Sequence, residues 1–485
     1  MRPQAELDLP LSLDRSAPTP LHHQVAAALR DAVLGGLLAP GSRLPPTRLL
    51  ASRLAVARST VLAAYEQLDG EGYLEGRHGS GTYISTGLPS SATTAAEALA
   101  AAGPAPASRA RSAATTDPVV ARRRQPGEVD LRPGQPDTSR LVDAAWRSAW
   151  RHAAAGPVPP IEDDAQGLRE LREQVATHLR AARGLRADPA DVFITAGTSD
   201  GLALVVHALG VAPGTVAVED PGYPAACRVL TRLGCELVPV PVDDAGLLVD
   251  RLAALPVAPH LVLVTPSHQY PLGGCLPIAR RLALLDWARQ HHSAVVEDDY
   301  DSEFRYGVAP LPALAALDRT GHVIHVGTFS KVLSPWLRAG YLLAPPRLRP
   351  ELLAARTDLG SVVSGLDQRA LARYLTGGAL RRHIARTRRD YAHRRQHLAR
   401  LLAGQPALSL HGTRGGLHTV IGLPPDTDVT ALLTACAQHG LLLADLRDYA
   451  VGSGPDLQPA VVIGYGAATL TDLDRAITTL ARLTH

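Results

Sequence analysis

Of the 49 lysine and arginine residues in this 485-residue chain, only Lys331 is a lysine. Arginine keeps its proton at any accessible pH, whereas a lysine amine can be deprotonated by its surroundings and can attack a carbonyl carbon. A position that keeps lysine where arginine serves everywhere else therefore indicates a need for a nucleophilic amine. The alternative is a lysine that survives by chance on a solvated face. Under the first interpretation, the fold must hold this one amine beside a carbonyl compound.

The residues around Lys331 indicate which carbonyl compound it meets. Residues 323–326 are a short apolar run typical of a buried strand, and Thr328 and Ser330 supply hydroxyl groups next to the lysine. Arg338 adds a planar guanidinium group that suits a phosphate. An aldehyde that carries a phosphate and forms a Schiff base with lysine is pyridoxal 5′-phosphate. We therefore predict this cofactor, bound through Lys331.

Length and composition set broader limits. The chain is long enough for two or three domains, and its net charge of +3 says little about partners. Its first 20 residues contain Glu6, Asp8 and Asp14 and no long apolar core, so we expect no secretory signal, and no apolar run approaches transmembrane length. The four cysteines show no CxxC spacing, which favours reduced thiols in a cytoplasmic protein or small buried apolar residues. We expect no membrane contact and no metal site.

The first segment has the pattern of a winged helix. One helix is predicted from Leu21, a second after Pro46, and a third that Ser59 can cap. The short break between the second and third is typical of a helix-turn-helix, whose last helix would be the recognition helix. Two short strands then flank the glycine-rich turn at residues 78–81, which predicts a wing.

Charge favours a DNA-binding role for this segment. No acidic residue occurs between Asp31 and Glu66. The same stretch contains four arginines: Arg43, Arg48, Arg53 and Arg58. Arg48 and Arg58 are predicted at the N-terminal ends of helices, where backbone N–H groups and side chain together favour a phosphate or a guanine edge. Arg53 is predicted in the middle of the second helix and could equally be a solvated surface residue. The alternative is an arginine-decorated helical domain that binds protein.

Four stretches of the segment resemble the GntR-type winged helix: residues 20–24, 40–48, 57–61 and 76–83. The resemblance implies that DNA is contacted by Arg48, Arg58, Ser59 and Thr60, with His78 and Gly79 of the wing. One position of the recognition helix that often carries arginine in that family is Leu62 here. A direct base contact is therefore expected to be missing at that position.

Three segments are predicted along the chain: a winged helix at residues 14–86, a flexible linker at 87–127 and a large domain at 128–485. The linker is rich in Ala, Ser, Thr, Pro and Arg and has no apolar period. The large domain alternates helical patterns with short apolar strands at residues 192–195, 216–218, 261–264 and 294–297. This alternation predicts an α/β fold with a mainly parallel sheet and helices on both faces.

Each of these strands is followed by polar residues, and ligands of open α/β sheets bind at the carboxyl ends of strands. A phosphate favours a helix N-terminus, which Thr198 and Ser199 offer before a helix predicted from Gly201. Asp298 suits a protonated pyridine nitrogen. Tyr300 can bond the oxygen on the cofactor ring, and Tyr223 can stack on its face. Any one of these residues could be structural, and their joint occurrence with the sole lysine carries the prediction.

Residues 129–485 resemble the aminotransferase class I fold (fold type I), and the whole chain resembles the MocR-type regulators of the GntR superfamily. The resemblance implies a head-to-tail homodimer that holds pyridoxal phosphate as an aldimine and tethers a DNA-binding domain to each half. Carried over position by position, the cofactor residues are Thr198, Ser199, Tyr223, Asp298, Tyr300, Thr328, Ser330, Lys331 and Arg338.

The chain departs from its relatives at several positions. Tyr270 replaces the asparagine that precedes Pro-x-Gly in aminotransferases, as is common in regulators of this type, and residues 160–164 lack a tyrosine that reaches the phosphate in many relatives. Ala225 replaces the carboxylate-binding arginine of γ-aminobutyrate responders, so γ-aminobutyrate is a poor candidate effector. Arg447 is our candidate for binding an effector carboxylate, and the alternative is a surface arginine paired with Asp445 or Asp448.

Two functions from different classes follow. The first is a DNA-binding transcription regulator whose aminotransferase-like domain senses pyridoxal phosphate, or an amino compound that forms an aldimine with it. The second is an active aminotransferase that carries a DNA-binding domain. An enzyme must bind an acceptor oxo acid through well-placed arginines, and only Arg447 is a candidate for that task. The regulator is therefore the favoured prediction.

Overall fold

The computed structural model describes residues 11, 13–16, 20–77, 81–86, 88, 125–159, 164–306, 312–360, 363–412, 415–451 and 457–484. These residues fall into two compact units, a smaller one that begins the chain and a larger one that contains most of residues 125–484. Most of the predicted linker, together with His78, Gly79 and residues 160–163, lies outside the described residues. Within them, no helix combines the length and hydropathy needed to cross a membrane.

The smaller unit has three helices followed by a hairpin. The elements are α1 (Leu21–Leu34), α2 (Thr47–Arg53), α3 (Arg58–Gly70), β1 (Leu74–Arg77) and β2 (Gly81–Ile84). Val25, Leu29, Val61 and Leu68 are buried, so the apolar stripes of α1 and α3 supply the core of this unit. The two strands pair antiparallel, in the arrangement that the sequence predicted for a wing.

Two details of this unit differ from expectation. The helix α3 begins at Arg58, with Ala57 at the N-cap and no side-chain cap, so Ser59 lies inside the first turn and does not cap it. The break before it contains Ala55 in a left-handed conformation (φ 49°), which reverses the chain, and the helix starts two residues before the Thr60 start that a Ser59 cap implies. Arg53 is the last residue of α2 rather than a mid-helix residue.

The strands of the larger unit are β3 (Val129–Asp130), β4 (Val192–Thr195), β5 (Thr215–Asp220), β6 (Glu236–Asp243), β7 (Gly246–Leu247), β8 (Leu261–Val264), β9 (Ala294–Asp299), β10 (Val323–Thr328), β11 (Gly340–Leu343), β12 (Ser409–His411), β13 (His418–Gly422), β14 (Leu441–Leu442), β15 (Ala444–Asp445) and β16 (Ala460–Gly464). The remaining helices are α4 (Ala144–Ala155), α5 (Arg169–Arg183), α6 (Thr198–Ala208), α7 (Pro224–Arg232), α8 (Val249–Ala253), α9 (Ile278–His291), α10 (Leu314–Leu317), α11 (Arg349–Leu359), α12 (Gly365–Thr376), α13 (Ala379–Ala403), α14 (Val429–Gln438) and α15 (Leu470–Leu483). They belong to the larger unit, except that residues 278–284 of α9 belong to the smaller one.

Among the described residues, eight strands form the main sheet in the order β4-β11-β10-β9-β8-β5-β6-β7. The five strands β10, β9, β8, β5 and β6 are mutually parallel, whereas β11 is antiparallel to both β10 and β4, and β7 is antiparallel to β6. Because two reversals restore the direction, β4 runs parallel to β10. The carboxyl ends of the strands that carry the predicted polar residues therefore lie on one edge of the sheet.

Apolar clusters cover both faces of this sheet. Phe193 and Leu342 belong to a cluster that includes α6 and α7 residues, whereas their neighbours Ile194 and Tyr341 belong to one that includes α5 and α12 residues. Since successive side chains of a strand point to opposite faces, helices lie on both sides. The predicted α/β fold with a mainly parallel sheet is confirmed. A smaller antiparallel sheet, β12-β13-β16-β15, follows near the C-terminus.

Candidate cofactor site and DNA interface

Lys331 lies three residues after the end of β10, at the carboxyl edge of the main sheet. Its Nζ donates a hydrogen bond to the backbone oxygen of Gly134 at 2.9 Å. Gly134 has φ +103°, and a Cβ atom there would stand 3.0 Å from Nζ, so a side chain would crowd the amine. Burial lowers the pKa of Lys331, while the carboxyl groups of Asp301 and Asp298 oppose this shift. The lysine is therefore placed where its neutral, nucleophilic form is more accessible than in water.

Asp298 occupies the fifth position of β9 and is 3% exposed. Its Oδ1 accepts a hydrogen bond from Thr198 Oγ1 at 3.4 Å. Burial, with a contribution from Asp299, raises the pKa of Asp298 to about 7. Among the described residues, no basic side chain forms an ion pair with this carboxyl group. A protonated pyridine nitrogen would supply the missing positive charge, so Asp298 fits the ring of the predicted cofactor.

The start of α6 and the end of β10 form one polar corner. The helix begins at Thr198, three residues before the predicted start at Gly201, because Gly197 with φ +97° makes the turn that precedes it. Thr198 and Ser199 are thus inside the first turn, where unpaired backbone N–H groups favour an anion. A Cβ atom on Gly197 would lie 4.0 Å from Thr328 Oγ1, and that hydroxyl donates to Ser330 Oγ at 2.9 Å.

Arg338 follows a short 3₁₀ turn, Pro335–Leu337, on the same segment as Lys331. Its backbone is left-handed, with φ 46° and ψ 48°, and its side chain is exposed. An exposed guanidinium two residues after the exposed Trp336 is available to a ligand phosphate, although the structure places no hydrogen-bond partner beside it among the described residues. Four of the five predicted phosphate ligands therefore lie together at the start of α6 and the end of β10. The fifth, Arg338, follows Ser330 by eight residues.

Tyrosine rings form a wall of the site. Tyr270 makes edge contacts with Tyr223 and Tyr300, both with ring centroids 5.6 Å apart, and with Tyr449 at 5.5 Å. The predicted stacking residue Tyr223 and the predicted ring-oxygen ligand Tyr300 thus flank the tyrosine that replaces the usual asparagine. Tyr300 is buried, and its hydroxyl donates to the backbone oxygen of His268 at 2.9 Å.

Four residues of the site were missed by sequence reasoning: Gly134, His268, Asp301 and His418. His268 and Asp301 share a hydrogen bond of 3.0 Å between Nδ1 and Oδ2, and the rings of His268 and His418 lie 5.1 Å apart. His268 and Asp301 carry a sequence signal, since both directly adjoin polar residues at strand ends. His418 begins a strand of the other sheet, so only the tertiary structure reveals it.

The atoms of His268, Asp301 and His418 that could ligate a metal lie within 4.8 Å of one another. Hydrogen bonds already account for two of these groups, and His418 Nε2 faces the backbone oxygen of Pro271 at 3.1 Å. Burial lowers the pKa of His418, with smaller contributions from His268 and the Lys331 amine. The three residues therefore adjoin the lysine site.

Arg447 lies in the 3₁₀ turn Leu446–Tyr449, and its side chain is 53% exposed. It forms an ion pair with Asp445 at 2.6 Å and donates to Thr430 Oγ1 at 3.2 Å. The alternative considered from sequence, a pair with Asp445, is thus present. The same turn lies beside the tyrosine rings, because the backbone oxygen of Tyr449 accepts a hydrogen bond from the backbone N–H of Gly222, next to Tyr223.

The DNA-binding candidates lie at helix starts on the surface of the smaller unit. Arg58 is the first residue of α3, Arg48 is the second residue of α2, and both side chains are exposed. Ser59 is exposed and Thr60 is half-buried on the next positions of α3. Arg58 Nε donates weakly to Thr47 Oγ1 at 3.4 Å, which connects the starts of the two helices. Leu62, where relatives often carry arginine, is 43% exposed.

Comparisons with known proteins agree with both units. Residues 128–471 match the family model for aminotransferase class I and II, and residues 21–84 match that for bacterial regulatory proteins of the gntR family. The HTH-type pyridoxine biosynthesis transcriptional regulator PdxR of Corynebacterium glutamicum is 41% identical over 462 residues, 95% of each chain. The probable rhizopine catabolism regulatory protein MocR of Rhizobium meliloti is 35% identical, covering 94% of this chain and 92% of its own.

Solved structures resemble the larger unit. A kynurenine aminotransferase of Pyrococcus horikoshii superposes with a TM-score of 0.67 at 24% identity, covering 74% of this chain and 90% of its own. LysN, an α-aminoadipate aminotransferase of Thermus thermophilus, gives the same score and identity and covers 74% of this chain and 92% of its own. At this level of identity the likeness demonstrates a shared fold.

Proposed function

Because this chain belongs to the GntR-family transcription regulators that carry an aminotransferase class I and II domain, we propose that pyridoxal phosphate held on Lys331 is the signal it reads. The protein is a DNA-binding regulator, and its large domain is of the type that binds pyridoxal phosphate. The regulatory function is favoured over the alternative of an aminotransferase with an added DNA-binding domain, since the relatives that align over the whole chain are named as regulators.

One arrangement carries the proposal: the only lysine of the chain shares a site with a buried carboxyl group that forms no ion pair with a basic side chain among the described residues. Lys331 would hold the cofactor, Asp298 would pair with the ring nitrogen, and Tyr300 would donate to the ring oxygen. Thr198, Ser199, Thr328, Ser330 and Arg338 would hold the phosphate. When bound, the cofactor supplies an aldehyde carbon that condenses reversibly with amines.

The identity of the signal rests on the relatives and on the residues that surround the lysine. The C. glutamicum relative, 41% identical, is named for pyridoxine biosynthesis, which supports the cofactor itself as the signal. An amino compound that competes with Lys331 for the cofactor is the second candidate, with Arg447 as the group that would bind its carboxylate. Ala225 stands where γ-aminobutyrate responders have arginine, so that compound is not our candidate.

We further propose that two chains associate head to tail, so that each operator half-site meets one smaller unit. A regulator of this kind must reach the chromosome, which supports a cytoplasmic location. Cofactor binding would then change operator affinity by shifting how the two smaller units are presented. A coupling free energy of about 1–3 kcal/mol is enough for a switch of 5–150-fold.

The experiment measures operator binding by fluorescence anisotropy with and without pyridoxal phosphate. We expect the cofactor to change the apparent Kd at least fivefold in the parent protein, and not in Lys331→Ala. The Lys331→Arg variant is the matched control, since it keeps the charge but cannot react with the aldehyde. An unchanged response in both variants would contradict the role of Lys331. Steady transamination of amino acids at about 1 s⁻¹ or faster would instead favour the enzyme.

A further inference from the structure

The hydroxyl group of Tyr300 meets His268 at two points. It donates to the backbone oxygen of His268 at 2.9 Å, and its oxygen also lies 2.9 Å from the ring nitrogen Nδ1 of the same residue. A hydroxyl has a single hydrogen to donate. Because that hydrogen is directed at the carbonyl oxygen, Nδ1 does not accept it, and the second contact is made by a hydrogen on Nδ1 that Tyr300 shares with Asp301 Oδ2, which lies 3.0 Å from the same nitrogen.

Asp301 holds the hydrogen of His268 on Nδ1. Its Oδ2 lies 3.0 Å from Nδ1 and accepts a hydrogen bond from it when the carboxyl group is ionised. Burial raises the pKa of Asp301, whereas the charge and hydrogen bond of His268 oppose this shift. The other ring nitrogen, Nε2, is buried without a hydrogen-bond partner. A bare acceptor at Nε2 is tolerated better than an orphaned N–H donor, so Nε2 also favours the Nδ1–H tautomer.

The packing around this pair leaves little freedom for another arrangement. His268 is 5% exposed and Asp301 is 1% exposed, so water does not compete for their hydrogen bonds. Gly416 lies against both of them with φ +75°, and a Cβ atom there would stand 2.3 Å from His268 Cε1 and 2.6 Å from Asp301 Oδ2. The backbone of Gly416 therefore closes the space into which the imidazole could otherwise turn.

We propose that His268, kept in its Nδ1–H tautomer by Asp301, is a positioning residue that leaves Tyr300 only the role of donor toward the ring oxygen of bound pyridoxal phosphate. The inference rests on cofactor binding at Lys331 as proposed above. In the opposite tautomer, Nδ1 would accept the Tyr300 hydrogen and withdraw it from the cofactor. With a hydrogen on Nδ1, the Tyr300 hydroxyl can donate its own hydrogen only to the His268 carbonyl oxygen or to the cofactor.

This arrangement has a measurable consequence for the lysine-bound cofactor. Donation by Tyr300 stabilises negative charge on the ring oxygen, and that charge is least compensated once the link to Lys331 has lost its proton. The hydrogen bond from His268 also polarises the Tyr300 hydroxyl and strengthens its donation. Loss of the His268 donor should therefore raise the pH at which the bound cofactor deprotonates.

Several other groups face Tyr300 or the lysine and titrate in their own right: Glu219, Tyr270, Asp298, Asp301, Lys331 and His418. Burial raises the pKa of Glu219 to about 7, so its titration could overlap that of the cofactor. A comparison of variants that all retain these six groups removes their contribution from the difference.

The test uses the full chain loaded with pyridoxal phosphate and follows the visible absorbance band of the lysine-bound cofactor against pH. His268→Gln removes the donor at the Nδ1 position and fills much of the same volume, whereas His268→Asn keeps an amide donor at that position. We expect His268→Gln to raise the midpoint by about one pH unit, a tenfold change in proton affinity, and His268→Asn to stay within about 0.3 unit of the parent.

The same pair of changes in a Tyr300→Phe background separates positioning from a merely structural role. If His268 acts through Tyr300, His268→Gln should produce no further shift there, because the hydroxyl it directs is gone. Equal shifts in both backgrounds, equal midpoints for Gln and Asn, or no shift would overturn the inference. A protein that forms no visible band with the cofactor would instead contradict the proposed function.

Discussion

The proposed DNA-binding face and the proposed cofactor site of this chain are built in opposite ways. Arg48, Arg58 and Ser59 are exposed and lie within 12 consecutive residues. Asp298 and Tyr300 are 3% and 9% exposed, and the Lys331 amine bonds Gly134, which is 197 positions away. A long polyanion can be met by charges at helix ends on an open surface. A small aldehyde must instead be enclosed by groups from distant parts of the chain.

The two regions also differ in how far their charged groups are buried. Burial lowers the pKa of Lys331 and raises that of Asp298 to about 7. Both shifts favour the uncharged forms, so a ligand that brings a positive charge to Asp298 would offset the cost of burying its carboxylate. The exposed arginines predicted to contact DNA need no ligand to be stable in water.

The largest expected effect comes from Asp298→Asn. Asp298 has its pKa raised from 3.8 to about 7, so the folded, cofactor-free protein holds a proton that the unfolded chain has lost between these values. Its stability should therefore fall as pH rises through this window, by about 1.4 kcal/mol per pH unit. The variant should lose this slope and melt at a higher temperature than the parent at pH 8, but not at pH 3.5.

The same variant should bind pyridoxal phosphate more weakly by about 3 kcal/mol, because the ring nitrogen loses its buried partner. Glu219→Gln is the matched control. Burial also raises the pKa of Glu219 to about 7, so that change should alter the pH dependence of melting while leaving cofactor affinity nearly intact. Cofactor titrations followed by absorbance measure the affinity of both variants. Tight binding by Asp298→Asn would show that Asp298 does not pair with the ring nitrogen.

The features that could be predicted from the sequence are those that depend on local patterns. The positions of Arg48 and Arg58 at helix starts were predictable, because apolar and charge patterns are local. The carboxyl ends of β4, β9 and β10 were also within reach, since alternating helices and strands predict where the carboxyl edge of a parallel sheet lies. The predicted strands ended at residues 195, 297 and 326, and the structure ends them at Thr195, Asp299 and Thr328. The cofactor itself followed from a single lysine. These features depend on residues that are close together in sequence.

The residues that were missed depend on tertiary packing. Gly134 and His418 come from segments that carry no pattern pointing to Lys331, and only the packed fold brings them near it. The predicted cap at Ser59 and the predicted start at Gly201 were wrong by two and three residues, because backbone conformations at Ala55 and Gly197 let each helix begin earlier. The pairing of Arg447 with Asp445 was foreseen only as an alternative.

An intermediate effect is expected from Arg58→Ala, which tests the exposed region. Arg58 begins α3 with no acidic residue in the first turn, so it can meet either a base edge or a phosphate. If it reads a base, operator affinity should fall by about 1–3 kcal/mol and specificity at one position should relax; if it meets phosphate, the salt slope should drop by about 1. Anisotropy titrations at several salt concentrations distinguish the two outcomes.

Arg53→Ala is the matched control for that change. Arg53 is exposed on the same unit but ends α2, where the helix dipole disfavours an anion. We expect a smaller loss of affinity than for Arg58→Ala. If both variants lose affinity equally, the helix N-terminus gives no advantage, and the contrast drawn between the two arginines fails.

The smallest effect is expected from Arg447→Gln, which tests whether an exposed residue can belong to the enclosed site. The Arg447 side chain is 53% exposed and that of Asp445 is 11% exposed, so solvent screens the pair only in part, and its loss should lower the melting temperature slightly more than the loss of a fully exposed pair, which contributes about 0–1 kcal/mol. Arg169→Gln, which breaks the exposed pair with Glu173, provides a reference for that loss.

Operator binding by Arg447→Gln should still respond to pyridoxal phosphate. If carboxylate-bearing amines also modulate the response, their effect alone should weaken, whereas uncharged amines should act as before. A weakened response to both classes of amine would exclude carboxylate binding by Arg447, because a guanidinium that holds a carboxylate can discriminate only between ligands that have one and ligands that lack it.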